Sequence, residues 1–206
     1  MIRERDILLE TINNGNLVGT DPKQMLPIYG ASKKYLDIYH WHSPFEGIVA
    51  SYAPTQTDVE DHFGIFRGVD QVEAFAQASI VSCATFLECR KQNCTPHELM
   101  ERFIPAFISI GQVQFHNYLE FGDSFISIGH IKFYKWRQMV CDGRMYKVPK
   151  YIDLDEYFRD FNRERLLKYD ISKDFILVAE LFDITGRAIK IELLNNINKN
   201  GETANT

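Results

Sequence analysis

The sequence predicts an α+β fold in which an antiparallel sheet wraps a single long central helix. Two observations carry this prediction. From Gly68 to about Gln92 the residues Val69, Val72, Phe75, Ala76, Ser79, Cys83, Phe86 and Leu87 recur at spacings of three and four, and the positions between them are also largely apolar. Period-two segments rich in aromatic and β-branched residues lie on both sides of that stretch. A helix that is apolar on most of its circumference has to be buried, and flanking strands supply the sheet that buries it. With 206 residues, 45% hydrophobic and 13% aromatic, the chain suffices for one such domain over 1–206 and is not a disordered polymer.

The elements follow in order. Ile7, Leu8, Leu9 and Ile12 predict a short peripheral helix over 4–14 that stops at Asn14-Gly15. Lys34–Trp41 and Gly47–Tyr52 read as two strands joined by a Ser43-Pro44 turn. After the central helix, Thr95, Pro96 and Glu98 form the capping signature of a second, shorter helix. Ile108 to Tyr118 reads as one strand, Phe121-Gly122-Asp123 as a turn, and Phe125 to about Arg137 as a long strand. Phe175–Phe182 and Arg187–Leu194 read as a hairpin around Asp183-Ile184-Thr185-Gly186. Between them, residues 138–174 break the rhythm with an Asp142-Gly143 turn and an amphipathic helix from Leu154 to Lys168, so they read as a helical insertion in a core of 24–137 and 175–194. The polar tail after Asn195 is expected to fray.

Composition excludes several classes. A formal net charge of −5 argues against a protein that neutralises duplex phosphates. No run of 18 or more apolar residues exists and the N-terminus leads into no signal-peptide core, so a soluble, cytoplasmic protein without a membrane or nucleic-acid partner is expected. Cys83, Cys89, Cys94 and Cys141 lack metal-ligand spacing and read as free thiols. His40-Trp41-His42 on a strand would point both rings to one face, but no partner ligand lies nearby in sequence, so no metal is predicted.

The chemistry gathers at the start of the central helix. Residues 61–77 read Asp-His-Phe-Gly-Ile-Phe-Arg-Gly-Val-Asp-Gln-Val-Glu-Ala-Phe-Ala-Gln. This resembles the active-site segment of the hot-dog beta-hydroxyacyl-(acyl carrier protein) dehydratases, where Gly-His-Phe precedes a Pro-Gly-Val that opens the helix, followed by Glu-Ala-x-Ala-Gln. His62-Phe63, Gly68-Val69 and Glu73-Ala74-Phe75-Ala76-Gln77 supply the three matches. Met25-Leu26-Pro27, the Phe121-Gly122-Asp123 turn and the segment Phe182–Ala188 resemble further landmarks of that family. By these marks the chain resembles a divergent member: Asp61 replaces the first glycine, Gly64-Ile65 the Pro-Gly after His-Phe, and Arg67 the proline before the helix glycine, and the loop from His62 to Glu73 is shorter.

The resemblance implies a hot-dog fold and a dehydratase acting on 3-hydroxyacyl thioesters, in fatty acid or related acyl or polyketide biosynthesis. It implies a homodimer with two sites, the His of one subunit facing the Glu of the other beside an acyl tunnel, and no cofactor. The residue types suit the reaction. A histidine can take the C2 proton, a carboxyl on an apolar helix can hold a proton for the leaving hydroxyl, and first-turn amides can hold the enolate-like oxygen. His62 and Glu73 are therefore the candidate catalytic pair, with Gly68, Val69 and Gln77 as oxyanion or substrate-binding residues. Asp61 and Asp70 are alternative carboxyls, and Tyr52 or Tyr118 could donate to the thioester.

A hot-dog thioesterase, with Glu73 or Asp70 orienting water, and a non-catalytic acyl-binding protein are the competing readings. Either carrier, acyl carrier protein or coenzyme A, is polyanionic and needs a basic mouth. Between Lys132 and Lys150 there are six basic residues and one acid, and Arg67, Lys135, Arg137 and Arg144 are the candidate docking set.

Overall fold

The computed structural model describes residues 4–30 and 33–192. The polar tail and the last two residues of the strand expected to end at Leu194 lie outside the described residues.

Gly68–Gln92 forms one continuous helix of 25 residues. Its apolar circumference is buried as expected, and two buried serines inside it bond to carbonyls of the helix itself. Ser79 Oγ donates to the Phe75 carbonyl at 2.8 Å, and Ser82 Oγ to the Gln77 carbonyl at 2.7 Å. The segment Gln77–Ser82 widens to a π turn, and Tyr39 Oη donates to Ser82 Oγ at 2.7 Å.

Among the described residues nine strands accompany the helix: β1 Ile38–Ser43, β2 Gly47–Tyr52, β3 Ile65–Phe66, β4 Phe103–Ser109, β5 Gln112–Phe115, β6 Leu119–Glu120, β7 Phe125–Lys135, β8 Gln138–Lys147 and β9 Ile176–Lys190. The main sheet has the order β1-β2-β7-β8-β9-β4, with β5 also paired to β9, while β3 and β6 form a small separate ladder. Every pairing is antiparallel.

Glycines on three adjacent strands let the helix lie close to this sheet. A Cβ at Gly129 would meet Ser79 at 2.5 Å and one at Gly186 would meet Ile80 at 2.5 Å, while one at Gly143 would run into the Phe75 ring and the Ile128 carbonyl.

The helix Glu4–Asn14 and its stop at Gly15, where φ is 121°, agree with the sequence reading, as does the capping box at Thr95 and Glu98. Other expectations are corrected. The first strand begins at Ile38 rather than Lys34, and the strand expected at Ile108–Tyr118 is instead the end of β4 followed by β5, with β6 starting only at Leu119. Pro105 is tolerated in β4 because that strand lies at the sheet edge, where a missing N–H breaks no ladder.

The hairpin expected at Asp183–Gly186 does not form, because β9 runs through it for 15 residues. Asp183 takes φ 54° as a local kink, its N–H donating to Asp142 Oδ1 at 2.7 Å, so a turn-like sequence marks the break between β5 and β4.

The Asp142-Gly143 turn and the 138–174 insertion are also revised. Residues 138–147 are β8, in the middle of the sheet, and Gly143 is there for the helix to pack on. The non-strand segment runs from 148 to 175, and its helix is two: Leu154–Phe158 and Arg163–Lys168, the second started by Asn162, which caps Glu164 and Arg165.

That segment covers the outer face of the sheet with its own apolar cluster, including Val49, Ile126, Ile128, Phe158, Phe161 and Leu166. β2 is consequently buried on both faces, which explains its unbroken run Ile48-Val49-Ala50.

His40 and His42 do not share a face. The β1 register shifts between Tyr39 and Trp41, so His42 turns inward onto the Phe86 ring while His40 turns outward under Phe158. Burial pushes His42 down to about 3, its Nδ1 accepting from the Leu17 N–H at 3.2 Å. An ordinary histidine in the unfolded chain takes up its proton near pH 6.5, so folding stability attributable to His42 is complete above that pH. As pH falls from there toward about 3 it is lost at ~1.4 kcal/mol per pH unit. Denaturant unfolding between pH 7.5 and 4.5 should show this decline, and His42→Gln should flatten it; an unchanged slope in the variant would assign the decline to other groups.

Candidate active site

Glu73 lies on the second turn of the central helix, half-buried, and is held from two sides. The Gln77 amide donates to its Oε1 at 3.1 Å, and the Tyr29 hydroxyl bonds the same carboxylate. Burial and the Glu73 charge together push the Tyr29 phenol well above its usual range, so it remains a donor at neutral pH.

Gln77 is fully buried and committed. Its Oε1 accepts from the Tyr35 N–H at 2.8 Å and its Nε2 donates to the Lys33 carbonyl at 2.7 Å. Its observed contacts fix Glu73 and tie the helix to the incoming chain; they leave no group free for a substrate.

The helix start is bare of a side-chain cap, because Arg67 stands at the N-cap position without an oxygen to offer. Gly68 and Val69 are thus first-turn residues whose amides have no cap, and Val69 is 69% exposed. The open approach expected at Gly68 is not empty: a Cβ there would meet the Phe115 ring at 2.8 Å. Asp70 is tied up, accepting from Arg67 Nε at 2.5 Å and Nη2 at 3.0 Å, with Tyr35 Oη at 3.3 Å. That removes Asp70 as an alternative catalytic carboxyl and neutralises Arg67. Tyr52 is likewise occupied, donating to Asp58 at 2.6 Å.

His62 ends a short turn, Glu60–His62, followed by Phe63 in the left-handed conformation at φ 56°. It is exposed, its ring neighbour among the described residues is Phe63 at 6.2 Å, and no hydrogen bond links it to Glu73 within the chain. The structure therefore does not bring the two candidate catalytic groups into contact within one chain.

An apolar cleft, open to solvent, runs along the central helix between it and the strands β4 and β9. Tyr29, the partner of Glu73, lines it, as do Ala76, Ile80 and Ala84 on the helix. Glu88, Tyr134 and Arg137 line it as well. The sequence singles out Arg137 only as a docking residue and not Glu88 or Tyr134; the available signal was Glu88, a second carboxyl on an otherwise apolar helix.

The basic docking set does not form one surface. Arg67 is at the helix start and Arg137 turns into the cleft. Arg144 is on the other face of the sheet, 2.9 Å from Glu180 and stacked at 4.6 Å on Tyr169. Lys135 stands over the Trp136 ring at 4.4 Å, and Lys132 and Lys147 are paired with Asp142, Asp183 and Asp123. Alternation along β7 and β8 sends neighbouring charges to opposite faces, which a linear count of charge does not register.

His40 hydrogen-bonds Ser51 Oγ at 2.8 Å and Asp155 Oδ1 at 2.7 Å, the partner order of a serine-hydrolase relay. Ser51 is in mid-sheet, 8% exposed, and neither the helix-side cleft nor the groove beside His130 reaches it. The row ties the outer layer to β1 and β2. The four cysteines are buried free thiols.

A sheet wrapped around one central helix in this strand order is the hot-dog fold. Among solved structures, the chain is similar to one from the dehydratase heterocomplex ApeI:P of Xenorhabdus doucetiae, with a TM-score of 0.56, 11% identity, and coverage of 86% of this chain and 97% of that one. It also matches a 1,4-dihydroxy-2-naphthoyl-CoA thioesterase from Synechocystis, with a TM-score of 0.43, 10% identity, and coverage of 70% and 83%. A third match, smu.793 from Streptococcus mutans bound to acetyl CoA, has a TM-score of 0.44, 9% identity, and coverage of 75% and 90%. No family model and no curated protein matches the sequence.

Proposed function

We propose that this chain is an acyl-thioester enzyme, a dehydratase that converts 3-hydroxyacyl thioesters to trans-2-enoyl thioesters. The observation that carries the reading is the position of Glu73, whose Tyr29 partner lines the apolar cleft along the helix. A thioester reacting beside Glu73 can lay its acyl chain in that cleft.

In this reading His62 removes the C2 proton. The released electron pair forms the C2–C3 double bond as the C3–O bond breaks, and Glu73 gives a proton to the departing hydroxyl, which leaves as water. The uncapped amides at Gly68 and Val69 donate to the thioester oxygen as it gains charge. His62 reaches the site from the second subunit of a homodimer, as the resemblance to the dehydratases implies. The outer edge of β4, where Phe107 and Ile108 are exposed with Ile110 just beyond the strand, suits a second copy that extends the sheet. The carrier, acyl carrier protein or coenzyme A, approaches the helix start.

The exposure of His62 and its lack of contact with Glu73 favour one second reading, a thioesterase in which Glu73 alone orients the attacking water. Product analysis separates the two. Incubation with 3-hydroxyacyl thioesters should raise the absorbance of a conjugated enoyl group. Release of free thiol from saturated thioesters, without enoyl product, would replace the dehydratase with the hydrolase.

A further inference from the structure

The central helix closes on a pair of cysteines. Asn93 turns left-handed at φ 50°, and its N–H and that of Cys94 both return to the Cys89 carbonyl, the second at 3.1 Å. This closure folds the chain back on the last helical turn and sets the side chain just past the helix against one inside it. Those two side chains are Cys94 and Cys89, and their thiols hydrogen-bond to each other.

Any two small apolar side chains would make the packing contact that this closure favours. Here a charged donor is also aimed at one of the sulfurs. Arg102 Nη2 donates to Cys94 Sγ at 3.2 Å, and the guanidinium is fixed there by Nη1 on Gln92 Oε1 at 2.8 Å and by Nε on the Glu98 carbonyl at 3.2 Å. Arg102 stands in solvent, so Cys94, 6% exposed, lies under a single exposed side chain. Cys89 is wholly buried, and burial pushes its thiol up, so it stays protonated. The other two cysteines supply a contrast within the molecule. Cys83 and Cys141 are also wholly buried neighbours, but their sulfurs turn to the Ala78 and Ser79 carbonyls at 3.7 Å.

We propose that Cys94 is a site of reversible oxidation by hydrogen peroxide, with Cys89 as its resolving thiol. The Cys94 sulfur attacks one peroxide oxygen, the O–O bond breaks, and the second oxygen leaves as water with the thiol proton. Arg102 stabilises the negative charge on sulfur during the attack. Cys94 is then a sulfenic acid. The Cys89 sulfur attacks it, the S–O bond breaks, and a second water departs with the Cys89 proton. Together the thiols lose two electrons and two protons to the peroxide and become a disulfide, which a dithiol reductant reverses. Hydrogen peroxide is little larger than water, which suits a sulfur roofed by one arginine. This chemistry is independent of the acyl-thioester reading of Glu73.

The test is to treat the native protein with hydrogen peroxide, block free thiols with N-ethylmaleimide in denaturant, and digest with trypsin. Arg90 and Lys91 lie between the two cysteines, so the Cys89 and Cys94 peptides stay joined only through a disulfide. The joined pair should appear and be released by dithiothreitol, while Cys83 and Cys141 remain free thiols. Cys89→Ser should leave Cys94 as a sulfenic acid that dimedone traps, and Cys94→Ser should leave Cys89 free. Arg102→Gln should slow disulfide formation at least about tenfold, because the charge that stabilises the attacking sulfur is gone. The wild-type measurement decides without the variants. Absence of the joined peptides, or oxidation of all four thiols at one rate, overturns the site, and an unchanged rate in Arg102→Gln overturns the role of the guanidinium.

Discussion

Glu73→Gln is expected to lower kcat/KM on acyl thioesters at least about 100-fold, the usual worth of a positioned acid or base. Asp70, the other carboxyl at the start of the helix, is held by Arg67 and Tyr35 and cannot substitute. Glutamine has the same shape, and its carbonyl can still accept from the Gln77 amide and Tyr29 hydroxyl, so the helix keeps its attachments. The thermal midpoint should therefore move little, separating lost chemistry from lost fold. Combining it with His62→Ala distinguishes the two reactions. A dehydratase loses activity with either substitution, whereas a hydrolase relying on Glu73 alone tolerates loss of His62. Wild-type turnover in Glu73→Gln would remove Glu73 from the mechanism.

Gly143→Ala is expected to destabilise the fold by about 3 kcal/mol, near the upper end for overpacking a core. The added methyl meets the Phe75 ring on one side and the Ile128 carbonyl on the other. Neither can yield easily, since Phe75 is wholly buried and Ile128 sits in a strand paired on both sides. Because Phe75 lies two residues from Glu73, any outward shift of the helix also moves the candidate acid, so activity should fall with stability. Urea unfolding provides the measurement, with Gly30→Ala as the control: its Cβ meets nothing within 4 Å and should change stability by no more than ~0.5 kcal/mol. Equal stability of the two variants would show that helix and sheet separate more readily than this packing indicates.

Several elements were legible because local chemistry alone sets them. The Thr95 capping box, the stop at Gly15 and the buried periodicity of Gly68–Gln92 each depend on residues within a few positions of one another. Asp142-Gly143 and Asp183–Gly186 misled for the opposite reason. Their turn-like residues serve tertiary needs: Gly143 makes room for Phe75, and Asp183 is held by Asp142 and Lys132. A glycine that admits a neighbouring helix and one that bends the chain are the same letter.

The site divides along the same line. The residues at the helix start could be picked out from the sequence, since Glu73 and Gln77 stand one turn apart on a helix that is otherwise apolar. The basic stretch from Lys132 to Lys150 was conspicuous as a run of charge, but its members are dispersed over two faces of the sheet and largely paired with acids far away in sequence.

By itself, then, the sequence determined an α+β chain with one buried helix and a carboxylate near its start, because hydrophobic periodicity and capping act over a few residues. Only the tertiary structure decided that β8 is a central strand, that His62 stands apart from Glu73 within the chain, and that Arg137 turns into the far end of the cleft. Those features depend on strand pairing and on the face each side chain takes, which are set by contacts between residues distant in the chain.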